Sequence, residues 1–323
     1  MDGSREGIGS NDNPQEQLHG GCYKLQGGCR KIKRRCGVNE FAPSSSNRGT
    51  CFLRRKGAGK AGLRLRRAAL WREFSLKGRT ALVTGGARGC GLAFAEGLAE
   101  AGADVAVFDI IDPIEGFHRI ASKHGVKTAF YKVDVSSKSS LENGFAQFSK
   151  EFENKLDICV PCAGINRHLT FLEYTYEAHQ ELLSTNVMGL FFTAQLAAKQ
   201  MIANGTKCGS IVLVASIASY MAIKDQNSSA YCGTKGAVRA MCPAIAKELV
   251  PYGIRVNSVS PGYVRTEMTA AFPHLVEKWK TDIMNHRLAE PDDIMGACVF
   301  LASDASSYMT GQDICVDGGV TKW

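Results

Sequence analysis

The chain has 323 residues, of which 45% are hydrophobic and 22% are charged, proportions typical of a globular protein with a full core. It contains no run of 18 apolar residues, so we expect no membrane span. Charge is distributed unevenly, because residues 1–72 carry 16 Lys and Arg against 5 Asp and Glu, whereas residues 73–323 carry 23 against 26. The sequence therefore predicts a basic N-terminal extension at 1–72 and one folded domain at 73–323.

The basic extension is rich in Gly, Arg, Ser and Asn and shows no sustained apolar period, which is typical of disorder. Its basic clusters at residues 31–35 and 64–67 could attract nucleic acid or an anionic surface. The stretch after Glu40 up to Arg72, which lacks acids, is also compatible with an organellar targeting segment. We favour a disordered tail without a nucleic-acid partner, and a cytoplasmic protein; a mitochondrial location is the alternative if the extension is a targeting segment.

From residue 73 onwards, short apolar segments alternate with helical patterns. Seven segments predict β-strands, at residues 80–84, 104–108, 127–133, 156–160, 210–215, 254–259 and 313–316. The longest helical patterns cover residues 178–203 and 230–250. Apolar strands separated by helices favour parallel pairing with helices on both faces. The sequence therefore predicts an α/β fold, a doubly wound parallel sheet of the Rossmann type, which binds its ligands beyond the carboxyl ends of the strands.

A glycine-rich loop directly follows the first predicted strand and opens the first predicted helix. Its sequence is Thr84-Gly85-Gly86-Ala87-Arg88-Gly89-Cys90-Gly91. Gly85, Gly89 and Gly91 permit a tight turn, close approach to a pyrophosphate and tight helix packing. The N-terminus of the following helix offers unpaired N–H groups to phosphates. These features together predict a dinucleotide-binding loop.

Two charged residues bear on which dinucleotide binds. Asp109 ends the second predicted strand, 18 residues after Gly91, where a carboxylate can accept the ribose hydroxyls of NAD and repel the 2′-phosphate of NADP. The alternative for Asp109 is a turn cap. Arg88 in the glycine-rich loop could instead pair with a 2′-phosphate. We predict NAD, with NADP as the alternative, because the carboxylate acts at the oxygen that distinguishes the two cofactors.

The glycine spacing Gly-x-x-x-Gly-x-Gly, together with Tyr231-x-x-x-Lys235, resembles the short-chain dehydrogenase/reductase family over residues 73–323. The resemblance implies a homodimer or homotetramer built through the two long helices. It implies a catalytic tetrad of Asn186, Ser216, Tyr231 and Lys235. It further implies cofactor contacts from the adenine-contacting pair Asp134 and Val135, from Ala163 and Gly164 after strand four, from Tyr231 and Lys235, and from Pro261, Gly262, Val264 and Thr266 after strand six.

One part of the family pattern is altered in this chain. Pro161 and Cys162 stand where the family has two asparagines before Ala163-Gly164. Cys162 also completes a C-x-x-C with Cys159, but a redox pair would start at a helix N-terminus rather than on a strand. We therefore expect structural thiols here. The histidines lack metal-ligand spacing, so we expect no metal site. We expect His168, two residues past Asn166, at the surface, with a position facing the substrate as the alternative.

The chemistry of the tyrosine and lysine follows from their residue types. Tyr231 and Lys235 are four residues apart on one helix face. A phenol has an ordinary pKa near 10, and a nearby ammonium favours the phenolate. Tyr231 can then exchange a proton with a substrate hydroxyl while hydride moves between substrate carbon and nicotinamide. Ser216 would hydrogen-bond the same oxygen. The family resemblance implies that Asn186 anchors a water linked to Lys235.

The serine assignment has an alternative. Ser216 and Ser219 precede Tyr231 by 15 and 12 residues, and many family members have a gap of 12 or 13. We choose Ser216 because it ends the apolar run of the fifth strand and so lies at the carboxyl edge of the sheet.

The longer gap resembles fungal mannitol, arabinitol and sorbose dehydrogenases. With polar residues at 224–227 near the expected pocket mouth, it favours an NAD-dependent oxidoreductase that interconverts a sugar alcohol and a ketose, of the D-arabinitol 2-dehydrogenase type. Reduction of a 3-oxoacyl, steroid or secondary-metabolite ketone is the enzymatic alternative, and an NAD(H)-binding sensor is the alternative without turnover. We expect residues 165–175, 217–229 and 266–287 to cover the substrate cleft.

Overall fold

The computed structural model describes residues 67–322. Within that range one sheet is built from β1 (Thr80–Thr84), β2 (Asp104–Asp109), β3 (Thr128–Lys132), β4 (Ile158–Pro161), β5 (Gly209–Val214), β6 (Ile254–Pro261) and β7 (Asp313–Val316). All six neighbouring pairs are parallel, in the order β3-β2-β1-β4-β5-β6-β7. The chain order reverses between β1 and β4, so the carboxyl ends of these two strands open the crevice where such sheets bind their ligands.

Helices connect successive strands. The described helices are α1 (Arg67–Glu73), α2 (Gly89–Glu100), α3 (Glu115–His124), α4 (Lys138–Glu151), α5 (Tyr176–Leu183), α6 (Leu190–Ala203), α7 (Ser229–Leu249), α8 (Glu267–Ala270), α9 (Val276–Asp282) and α10 (Pro291–Ala302). A π-helical turn, Ser184–Gly189, joins α5 to α6. None of the helices within residues 67–322 is long and apolar enough to cross a bilayer.

Strand β1 shows how the sheet separates two cores. All five of its residues are buried, as expected for a central strand covered on both faces. Leu82 packs in one apolar cluster with Phe148 of α4, whereas Val83 packs in the other with Phe94 and Leu98 of α2. Neighbouring residues of a strand point to opposite faces, so helices cover both sides of the sheet. The predicted doubly wound Rossmann fold is confirmed.

The predicted and observed elements differ mainly in one helix. Strand boundaries differ by no more than two residues, a normal uncertainty for element ends. The pattern at 178–203 predicts one continuous helix, but the structure has α5, the π-helical turn and α6 in its place. An apolar period cannot reveal one wider turn, because the buried faces on either side continue. The predicted boundary at 72/73 falls within α1, and residues 1–66 of the basic extension lie outside the described residues.

Candidate active site

Backbone contacts hold the glycine-rich loop against the carboxyl ends of the strands. Gly85 has a φ of +69° and donates its N–H to the Phe108 carbonyl at 2.7 Å. A Cβ on Gly85 would lie 2.7 Å from the Cα of Ala163, and a Cβ on Gly91 would overlap the Gly85 carbonyl. Gly89, with a φ of +57°, begins α2. The loop therefore leaves no space for side chains at Gly85 and Gly91, and its position at the α2 N-terminus suits a pyrophosphate.

The carboxylate of Asp109 braces this loop. Its Oδ2 accepts the N–H of Ala87 at 3.0 Å, and its Oδ1 accepts the N–H groups of Ile110 at 2.8 Å and Ile111 at 3.3 Å. Asp109 thus caps a turn, as its alternative interpretation expected. The Arg88 side chain is exposed and has no hydrogen-bond or ion-pair partner among residues 67–322.

The two residues after β3 that were predicted to contact the cofactor, Asp134 and Val135, lie in different surroundings. The carboxylate of Asp134 accepts both the N–H of Ser136 at 2.8 Å and its hydroxyl at 2.7 Å. Val135 is buried and packs against the π-helical turn, where a Cβ on Gly189 would lie 2.7 Å from Val135 Cγ2. Val135 therefore links the end of β3 to the turn that contains Asn186.

Asn186 is fully buried in the π-helical turn. Its Oδ1 accepts the N–H of Ile165 at 2.8 Å, and its Nδ2 donates to the Ile165 carbonyl at 2.9 Å and to the Thr234 hydroxyl at 3.1 Å. Gly164 lies beside it, because a Cβ there would be 3.3 Å from Asn186 Oδ1 and 3.6 Å from the Nζ of Lys235. Asn186 therefore joins the loop after β4 to the catalytic face of α7.

Ser216, Tyr231 and Lys235 meet at the carboxyl end of β5. Ser216 follows the strand, and its Oγ accepts the N–H of Ala218 at 3.1 Å and interacts with the Tyr231 phenol. Lys235 is buried and donates from Nζ to the Val214 carbonyl at 2.9 Å, with Nζ 5.8 Å from the centre of the Tyr231 ring. The hydroxyl of Ser219 instead donates to the Ser216 carbonyl at 2.7 Å, so Ser216 is the serine placed at the phenol.

Burial sets the direction of both pKa shifts in this group. It raises the pKa of the Tyr231 phenol, and the hydrogen bond from Ser216 only partly offsets that effect. It also lowers the pKa of the Lys235 ammonium. The sequence led us to expect that the Lys235 ammonium lowers the pKa of the tyrosine; with the protein residues alone the pKa is raised, because desolvation penalises each charged form.

The loop after β6 faces the glycine-rich loop. Its four predicted cofactor residues stand in the order Pro261, Gly262, Val264 and Thr266. A Cβ on Gly262 would lie 2.7 Å from the Cα of Asp317, and a Cβ on Gly89 would lie 3.4 Å from Thr266 Cγ2. Val264 is buried and bridges to Ala289 in parallel fashion. The ends of β1, β4, β5 and β6 therefore converge on one cleft.

The comparisons with known proteins agree on this arrangement. A family profile described as enoyl-(acyl carrier protein) reductase matches residues 85–321. The sorbose reductase of Schizosaccharomyces pombe is 37% identical over 250 residues, which cover 76% of this chain and 97% of that protein. The 3-oxoacyl-(acyl-carrier-protein) reductase of Chlamydia pneumoniae is 34% identical over 252 residues, covering 77% of this chain and 99% of that one. The chain belongs to the short-chain dehydrogenase/reductase family.

A crystal structure of gluconate 5-dehydrogenase from Burkholderia cenocepacia, in complex with NADP and tartrate, is also similar. It is 33% identical, with a TM-score of 0.73, over 79% of this chain and 99% of that one. This short-chain dehydrogenase/reductase is therefore an oxidoreductase that uses a nicotinamide cofactor and acts on an alcohol or ketone group of a small molecule. The narrow glycine-rich loop and the N–H groups at the start of α2 fit the pyrophosphate of such a cofactor.

A cavity of about 500 Å³ adjoins the reacting residues of this short-chain dehydrogenase/reductase. It is lined by Phe171, Cys232 and residues 218–223 and 226–229. Neither Ser216 nor Tyr231 lines it, so it lies beside the reacting centre. Lys224 of this segment pairs with Asp282 of α9 at 2.8 Å, and Asp225 pairs with Lys278 at 4.0 Å. Residues 217–229 and 266–287 are thus joined by two ion pairs.

The altered turn after β4 uses a hydroxyl for support. The N–H groups of Cys162 and Ala163 both lie 3.2 Å from the Thr84 Oγ1, which accepts from them. Burial raises the pKa of the Cys162 thiol to about 12 and also raises that of Cys159, which keeps both in the unreactive thiol form. Among residues 67–322, no group of three or more His, Cys, Asp or Glu side chains is arranged to hold a metal ion.

His168 was expected at the surface, and in the structure it is only partly exposed. Its ring is half-buried and meets the ring of Phe272 edge-on, with centroids 4.0 Å apart. Phe272 lies far along the chain, so no local pattern could reveal the contact. The available signal was position, since His168 follows closely after the carboxyl end of β4, where these sheets bind their ligands.

Proposed function

We propose that the chain interconverts a polyol and a ketose with NAD, using Asn186, Ser216, Tyr231 and Lys235 as its catalytic residues. The observation that best supports hydride transfer is the half-buried Tyr231, whose phenol interacts with the Ser216 side chain, with Lys235 one helical turn away. An acid held beside a second hydroxyl is suited to bind and protonate a single substrate oxygen.

In the proposed mechanism the bound nicotinamide supplies or accepts the hydride, and the chain handles the proton. During reduction, Tyr231 donates its proton to the oxygen of the ketone as the carbon becomes an alcohol. Because burial raises the pKa of this phenol, the protein keeps it in the protonated form that reduction needs. Ser216 donates or accepts a hydrogen bond at the same oxygen. In oxidation the proton returns to Tyr231.

The two remaining catalytic residues hold the site together. Lys235 is fixed between the Val214 carbonyl and the Tyr231 ring, where its ammonium favours a transient phenolate. Asn186 binds Ile165 and Thr234 with three hydrogen bonds. In this proposal it therefore fixes the loop after β4 against α7, and the water that it was expected to anchor stays a prediction.

The proposed cofactor contacts follow the loops around the cleft. They come from the glycine-rich loop, the strand ends and the loop after β6, and comprise Gly85, Arg88, Gly89, Gly91, Asp109, Asp134, Val135, Ala163, Gly164, Tyr231, Lys235, Pro261, Gly262, Val264 and Thr266. Asp109 supports NAD, since its carboxylate lies at the end of β2 and no basic side chain follows at residues 110–112. Arg88 supports the NADP alternative, because its exposed guanidinium has no partner among the described residues.

Two observations support a polyhydroxylated substrate. The sorbose reductase of Schizosaccharomyces pombe is 37% identical over nearly its whole length. The cavity beside the reacting centre is partly polar, with Gln226, Asn227, Ser228 and Ser229 in its wall, and such groups replace the water around hydroxyls. The similarity to a 3-oxoacyl reductase makes an acyl ketone the second candidate.

An oligomer is also proposed, with α5, the π-helical turn, α6 and α7 at its interface. Phe171, Leu172 and Tyr176, at and just before the start of α5, are 79%, 93% and 80% exposed, and apolar side chains exposed together mark interaction surfaces. Met188 and Phe192 extend the same exposed series. Light scattering should give the mass of a homodimer or homotetramer. The basic extension at 1–72, the domain at 73–323 and the cytoplasmic location, with its mitochondrial alternative, stay predictions.

The test measures turnover by the absorbance of the reduced nicotinamide. Pentitols, hexitols and their ketoses are offered to the wild-type protein and to a Tyr231→Phe control, each with the NAD and the NADP forms of the cofactor. We expect turnover of a polyol or ketose with NAD or NADH, and a loss of about 10² to 10⁴-fold in the control, since this is the usual contribution of a general acid or base. The Phe variant should still bind NADH. Turnover with NADP alone would show that Arg88, and not Asp109, determines the cofactor preference. Turnover of 3-oxoacyl ketones but of no ketose would overturn the substrate proposal, and cofactor binding without any turnover would favour a sensor.

A further inference from the structure

Two polar atoms are buried without a hydrogen-bond partner in the loop that follows β4. They are the Oδ1 of Asn166 and the Nδ1 of His168. A buried polar atom of this kind is normally paired in a folded protein, and an unpaired one calls for an explanation. Both atoms lie within four residues of Gly164, the residue next to Asn186 and Lys235.

The contacts around these two residues connect them to the segments that also contact Asn186 and Tyr231. Asn166 directly follows Ile165, whose backbone is bound on both sides by Asn186. The His168 ring contacts Phe272, and Phe272 packs on the apolar cluster that Tyr231 also contacts. Trp279 supports Phe272 within this cluster, with ring centroids 6.3 Å apart. His168 therefore joins the loop after β4 to residues 266–287, with its ring orientation fixed by Phe272.

The chemical form of His168 narrows what it can bind. Burial lowers the pKa of its imidazole, so the ring is neutral at pH 7 and offers one donor and one acceptor rather than a positive charge. The Oδ1 of Asn166 is an acceptor. An acceptor beside a neutral imidazole is complementary to hydroxyl groups, which donate and accept. It is poorly matched to an alkyl chain, which would leave both atoms unpaired, and it offers a carboxylate no charge partner.

We propose that Asn166 and His168 are specificity-determining residues that hydrogen-bond hydroxyl groups of a neutral polyhydroxylated substrate beyond the reacting carbon. This inference rests on the proposed ketose and polyol activity. Phe272 acts as a positioning residue that holds the imidazole in place. The protein then prefers a ketose to an acyl ketone because only a hydroxylated substrate can form hydrogen bonds with Asn166 Oδ1 and His168 Nδ1.

The experiment compares a ketohexose such as sorbose with 2-hexanone, a ketone of similar length without further hydroxyls. His168→Leu removes the hydrogen bond and keeps a similar side-chain volume, whereas His168→Asn retains a polar atom near the position of Nδ1. We expect the Leu variant to lower kcat/KM for the ketose at least tenfold, mainly through KM, with little change for 2-hexanone. The Asn variant should recover most of the loss, and Asn166→Leu should give a loss of the same kind.

The affinity for NADH, measured by fluorescence, separates this effect from misfolding, and it should stay at the wild-type value in all three variants. A Leu variant whose preference for ketose over 2-hexanone equals that of the wild type would overturn this inference and leave the proposed function untouched. An Asn variant as impaired as the Leu variant would also overturn it, since only packing would then matter. Wild-type protein that reduces 2-hexanone or acyl ketones but no ketose would overturn the proposed function together with the inference.

Discussion

The cofactor side and the substrate side of the cleft are built by different means. On the cofactor side, Gly85 is bound to Phe108 through the backbone and packs directly on Ala163. On the substrate side, residues 217–229 and 266–287 are joined by exposed side-chain ion pairs such as Lys224–Asp282, and polar atoms of the loop after β4 are buried without partners. Main-chain contacts fix one geometry for a common cofactor, whereas side-chain contacts can be exchanged to suit a substrate.

This difference predicts that the cofactor side tolerates least change, and Gly91→Ala should show the largest effect. The added Cβ would overlap the Gly85 carbonyl, so the glycine-rich loop must move away from the position that receives the pyrophosphate. We expect the Kd for NADH to rise about a hundredfold or more, measured by fluorescence titration, which corresponds to about 2.7 kcal/mol.

Gly296→Ala in α10 is the matched control, since a Cβ there would meet no atom within 4 Å. It should leave the NADH affinity unchanged and stabilise the protein by up to about 1 kcal/mol, because alanine favours a helix over glycine. Equal NADH affinity in the Gly91 variant and the wild type would remove the distinction between the two sides.

The reacting centre lies between the two sides and should have an asymmetric pH dependence. Burial raises the pKa of Tyr231, so at neutral pH the phenol is protonated and only a small fraction is phenolate. Oxidation needs the phenolate, whose fraction rises about tenfold per pH unit below the pKa. We expect kcat/KM for polyol oxidation to rise with nearly that slope from pH 6.5 to 9, while ketose reduction stays almost flat. Oxidation that is independent of pH over this range would show that another group sets the proton transfer.

The smallest effect is expected from Lys224→Met on the substrate side. Its ion pair with Asp282 is exposed to solvent, and such pairs contribute little. Loss of this link between residues 217–229 and α9 should raise the KM for the ketose about two- to threefold and leave the Kd for NADH unchanged. Lys280→Met is the control, because Lys280 pairs within α9 with Glu277 at 2.7 Å and should change neither constant. A large loss of NADH affinity in the Lys224 variant would contradict the independence of the two sides.

The fold could be predicted almost completely, because apolar runs and the helices between them determine a doubly wound sheet. The strands at Thr80–Thr84 and Asp313–Val316 were placed to the residue. The candidate site residues that the sequence located lie at strand ends, as Asp109 does at the end of β2 and Ser216 does after β5, and their roles stay predictions. What the sequence could not show were contacts between distant segments, such as the ring of Phe272 against His168, since neither residue belongs to a periodic pattern.

The direction of the pKa shift of Tyr231 shows a second limit of prediction from the sequence. A lysine four residues away suggests a lowered pKa, but the magnitude of desolvation depends on how many elements cover the phenol, and that becomes known only once the chain is folded. Tyr231 packs on a cluster that includes Ile217 and Phe272 from two other segments. The local spacing therefore pointed to Tyr231 but could not show whether desolvation or the lysine charge dominates its pKa.

In the π-helical turn Ser184–Gly189, the number of residues matters for activity as well as their identity. Such a turn holds one residue more than a regular α-helix would use. Deleting a single residue within it would let α5 and α6 merge into one ordinary helix whose buried faces stay in register, while the backbone that carries Asn186 would shift. The fold would survive, yet Asn186 would lose its bridge between Ile165 and Thr234. Two otherwise closely matching chains that differ by this one deletion would share an architecture and differ in chemistry.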